Sequence, residues 1–434
     1  MDYIPNILFA ITLVIGIGYF AKNIRKIIRN IKLGQGVDVS NNKSQRWKNM
    51  AMIALGQSKM VRRPVAGILH IIVYVGFIII NIEVLEIIID GLLGTHRIFS
   101  GIGKLYGILI SSFEILAALV LVSVIIFWIR RMILRIPRFW NKEMTKWPKN
   151  DALNILYFEM VLMSLFLIMN ATDVLFQSMN SGNIISQFIA PWFGSFSENT
   201  IHLIERSAWW LHIIGILIFL NYLYFSKHLH ILLAFPNTFY ASLKPKGELN
   251  NLDAVTKEVM LMMDPNADPF ASPSEGQEEE PAKFGASDVQ DLNWVQLLNA
   301  YTCTECGRCT SQCPASLTGK KLSPRKIMMD TRDRLEEVGK NIDANKGHFK
   351  DDGKQLLDDY ITREELWACT SCNACVETCP VSINPLSIIL EMRRYLVMEQ
   401  SAAPTELNNM MTNIENNGAP WPYNQMDRLN WKNE

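Results

Sequence analysis

The chain has 434 residues, 49% of them hydrophobic and 19% charged, with 42 basic against 42 acidic side chains. That length leaves room for two or three domains, and a neutral balance excludes a general nucleic-acid binder, which carries a basic excess. Most of the hydrophobicity lies before about residue 240, so the chain is not one soluble globule.

A bilayer span needs about 20 mainly apolar residues. Five stretches qualify: 4–21, 65–89, 104–129, 152–176 and 207–233. The first has its basic residues after it rather than before it, unlike a signal peptide. Residues 22–63 hold eleven Lys/Arg against Asp38, and residues 130–149 hold seven against Glu143, whereas the loops 90–103 and 177–206 hold Arg97 and Arg206 as their bases. The positive-inside rule then predicts the N-terminus outside, spans one, three and five running inward, and the C-terminal half in the cytoplasm.

Ionisable residues inside spans are costly and usually functional. His70 falls near the inner end of span two, His212 near the outer end of span five and His230 near its inner end. On one continuous helix, the eighteen residues from His212 to His230 make five turns, which puts both on one face about 27 Å apart. His70 and His230 at one depth on facing helices meet the requirement of a b-type haem for two axial imidazoles. His228 is the rival to His230, about 160° away round the helix, and would otherwise bond a haem propionate or face headgroups. His212 lacks a histidine opposite it on span two, where Asn81, Val84 and Ile88 lie on the face of His70. An outer haem there would need His96 or His202 from a loop; otherwise His212 would serve a quinone. Glu83, Glu86, Glu114 and Asp173 also lie in spans, as proton relays or as buried structural pairs.

Residues 264–291 carry eight acids, including the run Glu278, Glu279, Glu280, against Lys283, the composition of a solvated linker. Ser287 with Gln290 reads as a capping box opening a helix through Trp294. The predicted organisation is a five-span membrane haem domain (1–240), a linker (241–286), a small helical domain (287–400) and an irregular tail (401–434). The fold class is all-α.

All eight cysteines fall between Cys303 and Cys379. Cys303, Cys306, Cys309 and Cys313, followed by Pro314, repeat as Cys369, Cys372, Cys375 and Cys379, followed by Pro380. This is C-x2-C-x2-C-x3-C-P, the bacterial dicluster ferredoxin pattern, in which the fourth cysteine ligates the other cluster. One [4Fe-4S] cluster then takes Cys303, Cys306, Cys309 and Cys379, and the other Cys369, Cys372, Cys375 and Cys313. A pair of zinc knuckles would use two CxxC pairs and leave thiols over. Between the motifs, Ser323-Pro324-Arg325 opens a charged helix through Glu337, where Arg325 and Lys326 read first as a solvated face and second as donors to the cluster surroundings. No nucleotide-binding glycine fingerprint is visible, so nicotinamide and flavin sites are expected on partners.

Five spans with histidines on the second and fifth resemble the gamma subunit of respiratory nitrate reductase. That resemblance implies haem ligands at His70, His212 and His230; the remaining position falls on Ile80, which leaves one haem b with a second open. The segments Ser226-Lys227-His228-Leu229-His230, Phe235-Pro236-Asn237 and Tyr301 to Cys309 resemble the membrane iron–sulfur oxidoreductases of the heterodisulfide-reductase-like and FadF type. That likeness implies a multi-pass protein of the bacterial inner membrane, menaquinone from the quinone pool as substrate, and electron-transfer flavoprotein or a soluble subunit with Cys-Cys-Gly domains as partner. The expected function is electron transfer from a cytoplasmic donor through two clusters and haem b to menaquinone. The alternatives are quinol oxidation coupled to a cytoplasmic disulfide-type acceptor, or a haem-free anchor for a soluble redox complex.

Overall fold

The computed structural model describes residues 3–179, 181–265 and 283–433. Among these, five helices are long and apolar enough to cross a membrane: α1 (Ile4–Ile31), α2 (Pro64–Leu93), α3 (Lys104–Met132), α4 (Trp147–Thr172) and α5 (Glu198–Tyr222). The shortest has 25 residues, about 38 Å at 1.5 Å per residue, more than a hydrocarbon core of about 30 Å. Their ends follow local chemistry. Proline occupies the first turn of α1, α2 and α4, where its missing N–H costs nothing, and Gly94 at φ 74° closes α2. Neighbours pack in the order α2, α3, α4, α5, α1, and α1 returns to α2. Glycines admit the close approaches: a Cβ on Gly76 would meet Val120 at 2.5 Å, and one on Gly91 would meet the Phe9 ring at 2.5 Å.

The fifth span departs from the sequence expectation of 207–233. Ser197 caps it well before residue 207, and it stops at Tyr222. Two 3₁₀ turns follow, and a separate helix α6 (His230–Phe239) begins at His230. The break is polar: Ser226 is extended, and the Asp151 carboxylate takes the Tyr222 hydroxyl (2.7 Å) and the Lys227 amide (3.2 Å). His212 and His230 therefore lie on different helices, and the shared face and the rise of about 27 Å do not apply. The fourth span likewise starts at Trp147 and ends at Thr172, with Asp173 capping a short helix, Val174–Ser178.

The cysteine-bearing half is built on α7 (Trp294–Thr302), α8 (Pro324–Ala344) and α9 (Pro385–Arg394). Its core, with Leu292, Leu297, Ile327, Leu335, Ile388 and Met392, is continuous with Ile27, Leu223 and Leu229 at the adjoining end of the membrane helices. Helix α1 runs past its predicted end at 21 and packs on α7 and α8. Asn30 donates to the Tyr301 hydroxyl at 2.9 Å, and Gln35 exchanges backbone bonds with Leu292 and Trp294. The basic stretches after α1 and after α3 thus lie at the cluster end.

Three local expectations change. The capping boxes are Asp288 with Asp291 and Asn293 with Gln296, not Ser287 with Gln290; the Ser287 hydroxyl instead donates to Asp291. The tail is not irregular: Pro404 and Gly418 bracket a helix, Thr405–Asn417, and a 3₁₀ segment, Gln425–Lys432, follows. The linker contains a helix, Asp253–Met263, while the acidic run Glu278 to Glu280 lies outside the described residues.

Candidate functional site

Helix α7 ends at Thr302 and delivers Cys303 into a tight turn. Two residues of that turn are left-handed, Glu305 (φ 54°) and Gly307 (φ 69°). The second motif repeats this at the same offsets, Ser371 (φ 57°) and Asn373 (φ 58°), so the sequence repeat is also a backbone repeat. Each turn carries the first three cysteines of its motif. Gly307 also admits Arg325, whose Nη1 would lie 2.5 Å from a Cβ there. Cys313 caps the short helix Pro314–Leu317, as its Cys-Pro step predicts, whereas no helix opens at Pro380 and the chain stays non-helical to α9.

The thiols fall into two neighbourhoods. Burial pushes the Cys303 thiol up to about 12, and the sulfurs of Cys306 and Cys379 push it the same way. Cys379, at about 11, is raised by burial and then by Cys306. Cys375, at about 12, is raised by burial and then by Cys369, Cys313 and Cys372. A cluster takes these thiols as thiolates, so binding it releases their protons. Among the described residues, no three His, Cys, Asp or Glu side chains converge as they would on one ion. Four sulfurs on one zinc sit about 3.8 Å apart for bonds of about 2.3 Å, whereas the corners of a cubane hold them wider. Backbone amides donate to sulfur from Ser371 to Cys369 (3.4 Å) and from Ile383 to Cys379 (3.3 Å), contacts that tune cluster potentials.

The neighbourhoods face opposite ways. Cys372 is exposed to solvent. The Cys303, Cys306, Cys309 and Cys379 side is pressed against the segment before α2. There Arg308 donates to the Lys59 carbonyl (3.2 Å), Arg63 to Ser311 (2.9 Å), Lys59 to Ser382 (3.1 Å) and Asn237 of α6 to the Val381 carbonyl (2.7 Å). Arg325 is not on a solvated face: it is fully buried and donates to Glu143 and to the Arg138 carbonyl, both at 2.7 Å. Lys326 is half-buried and bridges Asp330 and Glu365.

His70 lies within two turns of the start of α2, close to that contact. Its ring centroid is 6.4 Å from that of His230, at 42°. Two imidazoles binding one iron from opposite sides, with metal–nitrogen bonds of about 2 Å, put their centroids about 6 to 6.5 Å apart. The His230 Nδ1 faces the Lys227 carbonyl at 3.2 Å, which orients the ring and leaves Nε2 free, while the buried Nδ1 of His70 has no hydrogen-bond partner among the described residues. The pair thus fits a haem iron. His228 stands 5.4 Å from His230 at 81° and turns to Glu159 at 3.7 Å, a half-buried acid whose place inside the apolar fourth span is the sequence signal for it. His212 packs against Phe166 of α4, with centroids 6.0 Å apart. His96 is held by Asp173 at 3.0 Å, and His202, which lies on α5 and not in a loop, is 4.0 Å from Glu205, so neither is turned to His212.

At the far end the span acids are structural partners of other groups rather than of each other. Glu114 accepts from the Ile185 and Ser186 amides, Glu86 from the Phe99 amide and Tyr106, and Asp173 from Arg97. Glu83 differs: it is buried, 3.9 Å from Arg97, and its Oε2 has no hydrogen-bond partner among the described residues. It lines a cavity of about 400 Å³ with Phe9, His96, Trp209 and Trp210 among its walls.

Fold and cysteine turns together define a membrane iron–sulfur protein of the electron-transfer class. Residues 302–383 match the 4Fe-4S dicluster domain. The chain is 28% identical over 458 aligned residues to the "Probable iron-sulfur-binding oxidoreductase FadF" of Bacillus subtilis, covering 99% of this chain and 61% of that protein. It is 25% identical over 424 residues to the "EtfAB:quinone oxidoreductase" of Syntrophomonas wolfei, covering 90% and 54%. Over 107 residues it is 36% identical to one component of the ferredoxin/F(420)H(2)-dependent CoB-CoM heterodisulfide reductase of Methanosarcina acetivorans, covering 25% and 52%. The chain is thus related to the membrane iron–sulfur oxidoreductases of the FadF and heterodisulfide-reductase type, and spans between 54% and 61% of the first two relatives. No solved structure matches it.

Proposed function

We propose that this chain is the membrane electron-transfer part of an iron–sulfur:quinone oxidoreductase, carrying electrons from a cytoplasmic donor to menaquinone. Cys369, Cys372, Cys375 and Cys313 would hold the cluster that receives electrons, because Cys372 is at the surface. Cys303, Cys306, Cys309 and Cys379 would hold the second, against the membrane helices, and His70 with His230 would hold one haem b. When bound, these groups supply one-electron carriers; the protein would set their order by docking the Cys303–Cys309 turn beside α2 and α6. The donor would be electron-transfer flavoprotein, in line with the name of the EtfAB:quinone oxidoreductase relative, or a soluble subunit with Cys-Cys-Gly domains. The positive-inside pattern supports an outside N-terminus and cytoplasmic clusters. The cavity at Glu83, with Phe9, Trp209 and Trp210 in its walls, would take the quinone ring, with the free Glu83 oxygen accepting from a quinol hydroxyl.

The observation that carries this reading is the His70–His230 ring pair, set at the end of the bundle where the cysteine turns dock. The test is menaquinone-analogue reduction by purified, pre-reduced protein. A His70→Ala, His230→Ala double variant is expected to lose both the b-type spectrum and quinone reduction while keeping its clusters. Full retention of quinone reduction would refute the reading.

A further inference from the structure

Glu305 occupies a backbone conformation that disfavours side chains, inside the turn between Cys303 and Cys306. A glycine or asparagine would fit there with less strain, so the carboxylate has a use. It is 3% exposed and points out of the cluster domain into the junction with the membrane helices. One oxygen accepts from Lys227 Nζ, and the other from Arg332 at 2.9 Å. Lys227 is itself buried and is the first residue of the turn leading into α6. Its Nζ also donates to the Pro148 carbonyl at 2.6 Å and lies 3.8 Å from Asp151. The Lys227 carbonyl is the group that faces His230 Nδ1. The structure therefore contains one contiguous run of contacts from the Cys303–Cys306 turn, through the Glu305 carboxylate and the side chain and carbonyl of Lys227, to the imidazole of His230.

The charges are balanced but unevenly placed: Glu305 and Asp151 are offset by Lys227 and Arg332. Of these, Glu305 is the one carried on the cysteine turn, and its charge is felt at the Cys303 sulfur. We propose that the buried Glu305–Lys227 pair is a positioning bridge that sets the potential of the metal centre at the Cys303 turn and holds that turn in register with His230. Removing the negative charge leaves Lys227 with Asp151 and Arg332 with Asp333 and makes the surroundings of that centre more positive by one charge, which favours its reduced, more negative form; removing Lys227's charge does the opposite. Neither side chain takes part in electron transfer directly.

The inference rests on the proposed cluster assignment, and redox titration of detergent-purified full-length protein, followed by electron paramagnetic resonance, separates the two. Absence of two clusters in the wild type would refute the assignment; variant shifts test the bridge. Glu305→Gln is expected to raise the potential of one cluster by about a tenfold change in its reduction equilibrium, about 59 mV for one electron, and Lys227→Met to lower it. Glu305→Asp and Lys227→Arg keep the charges and should stay near the wild-type value. The cluster whose signal responds to Cys372→Ser should not shift. Unchanged potentials, shifts of the same sign in both charge-removing variants, or a shift confined to the Cys372 cluster would each overturn the proposal. Should Glu305→Gln fail to fold, Lys227→Met against Lys227→Arg carries the same test.

Discussion

Arg325 offers the sharpest energetic test of how the cluster domain is held on the membrane helices. It is fully buried, and its guanidinium joins the 137–144 loop to the cysteine turn: Nη2 to Glu143 (2.7 Å), Nη1 to the Arg138 carbonyl (2.7 Å) and to the Glu305 carbonyl (3.4 Å). Arg325→Met keeps most of the apolar stem and deletes the charge. Glu143 is then left mostly buried, with the Ser323 hydroxyl at 2.7 Å still donating to it. Removing one partner of a buried ion pair costs about 3–5 kcal/mol, and the retained Ser323 bond favours the lower end, about 3 kcal/mol. At about 1.4 kcal/mol per decade, the undocked state rises about a hundredfold. Hydrogen–deuterium exchange reads this locally, so amides in 137–144 and 303–313 should exchange about a hundredfold faster while the centres of α2 and α3 do not change. An Arg325→Met, Glu143→Gln double variant should recover part of the loss, since no lone buried charge remains. Wild-type exchange in both segments of the single variant would refute the docking role.

Other outcomes follow from the same geometry. Cys372→Ser should alter the resonance of one cluster and leave the other in place; loss of both at once would contradict two separate neighbourhoods. Gly339→Ala places a Cβ 2.5 Å from the Asn30 side chain and should cost about 1–3 kcal/mol, read as a lower melting temperature in detergent; no change would show that α1 and α8 do not pack this closely. Glu377 is held at about 2 by hydrogen bonds from Lys246 and Arg62, which outweigh its burial. Its folded pKa is depressed, so its contribution is full above about pH 4.5 and lost as pH falls towards about 2. Because the pair is half-exposed the effect is small. The gap in melting temperature between the wild type and Glu377→Gln should close over that window and shrink with salt; a gap independent of pH would contradict the ion pair.

The parts legible in the sequence are those encoded locally. Cysteine spacing within a short motif needs no tertiary knowledge, and neither do five long apolar runs. The proximity of His70 and His230 is anticipated from depth along the chain, although His230 opens α6 and does not end span five; the shared face for His212 and His230 does not hold. A hydropathy window cannot see that Asp151, some 70 residues away, breaks the chain at Ser226. Glu305, Lys227 and Asn237 are not singled out as site residues for the same reason, and Arg325 is legible as a donor to the cluster surroundings but not as a bridge to the membrane helices. Each acts across the junction, with partners 78 to 187 residues distant, and in sequence each is an ordinary polar residue. The weak signal available is Glu305 in a turn where the matching position of the other motif is serine.

That His70 and His230 hold a haem beside the inward-facing cysteine turn is tested most directly by haem b and iron content per chain in detergent-purified protein, with pyridine haemochrome spectra of the histidine variants. One haem b with about eight irons per chain is expected. The haem should be lost in His70→Ala and in His230→Ala, and kept in His228→Ala and His212→Ala. Clusters without haem in the wild type, or haem retained after both His70 and His230 are replaced, would contradict that assignment.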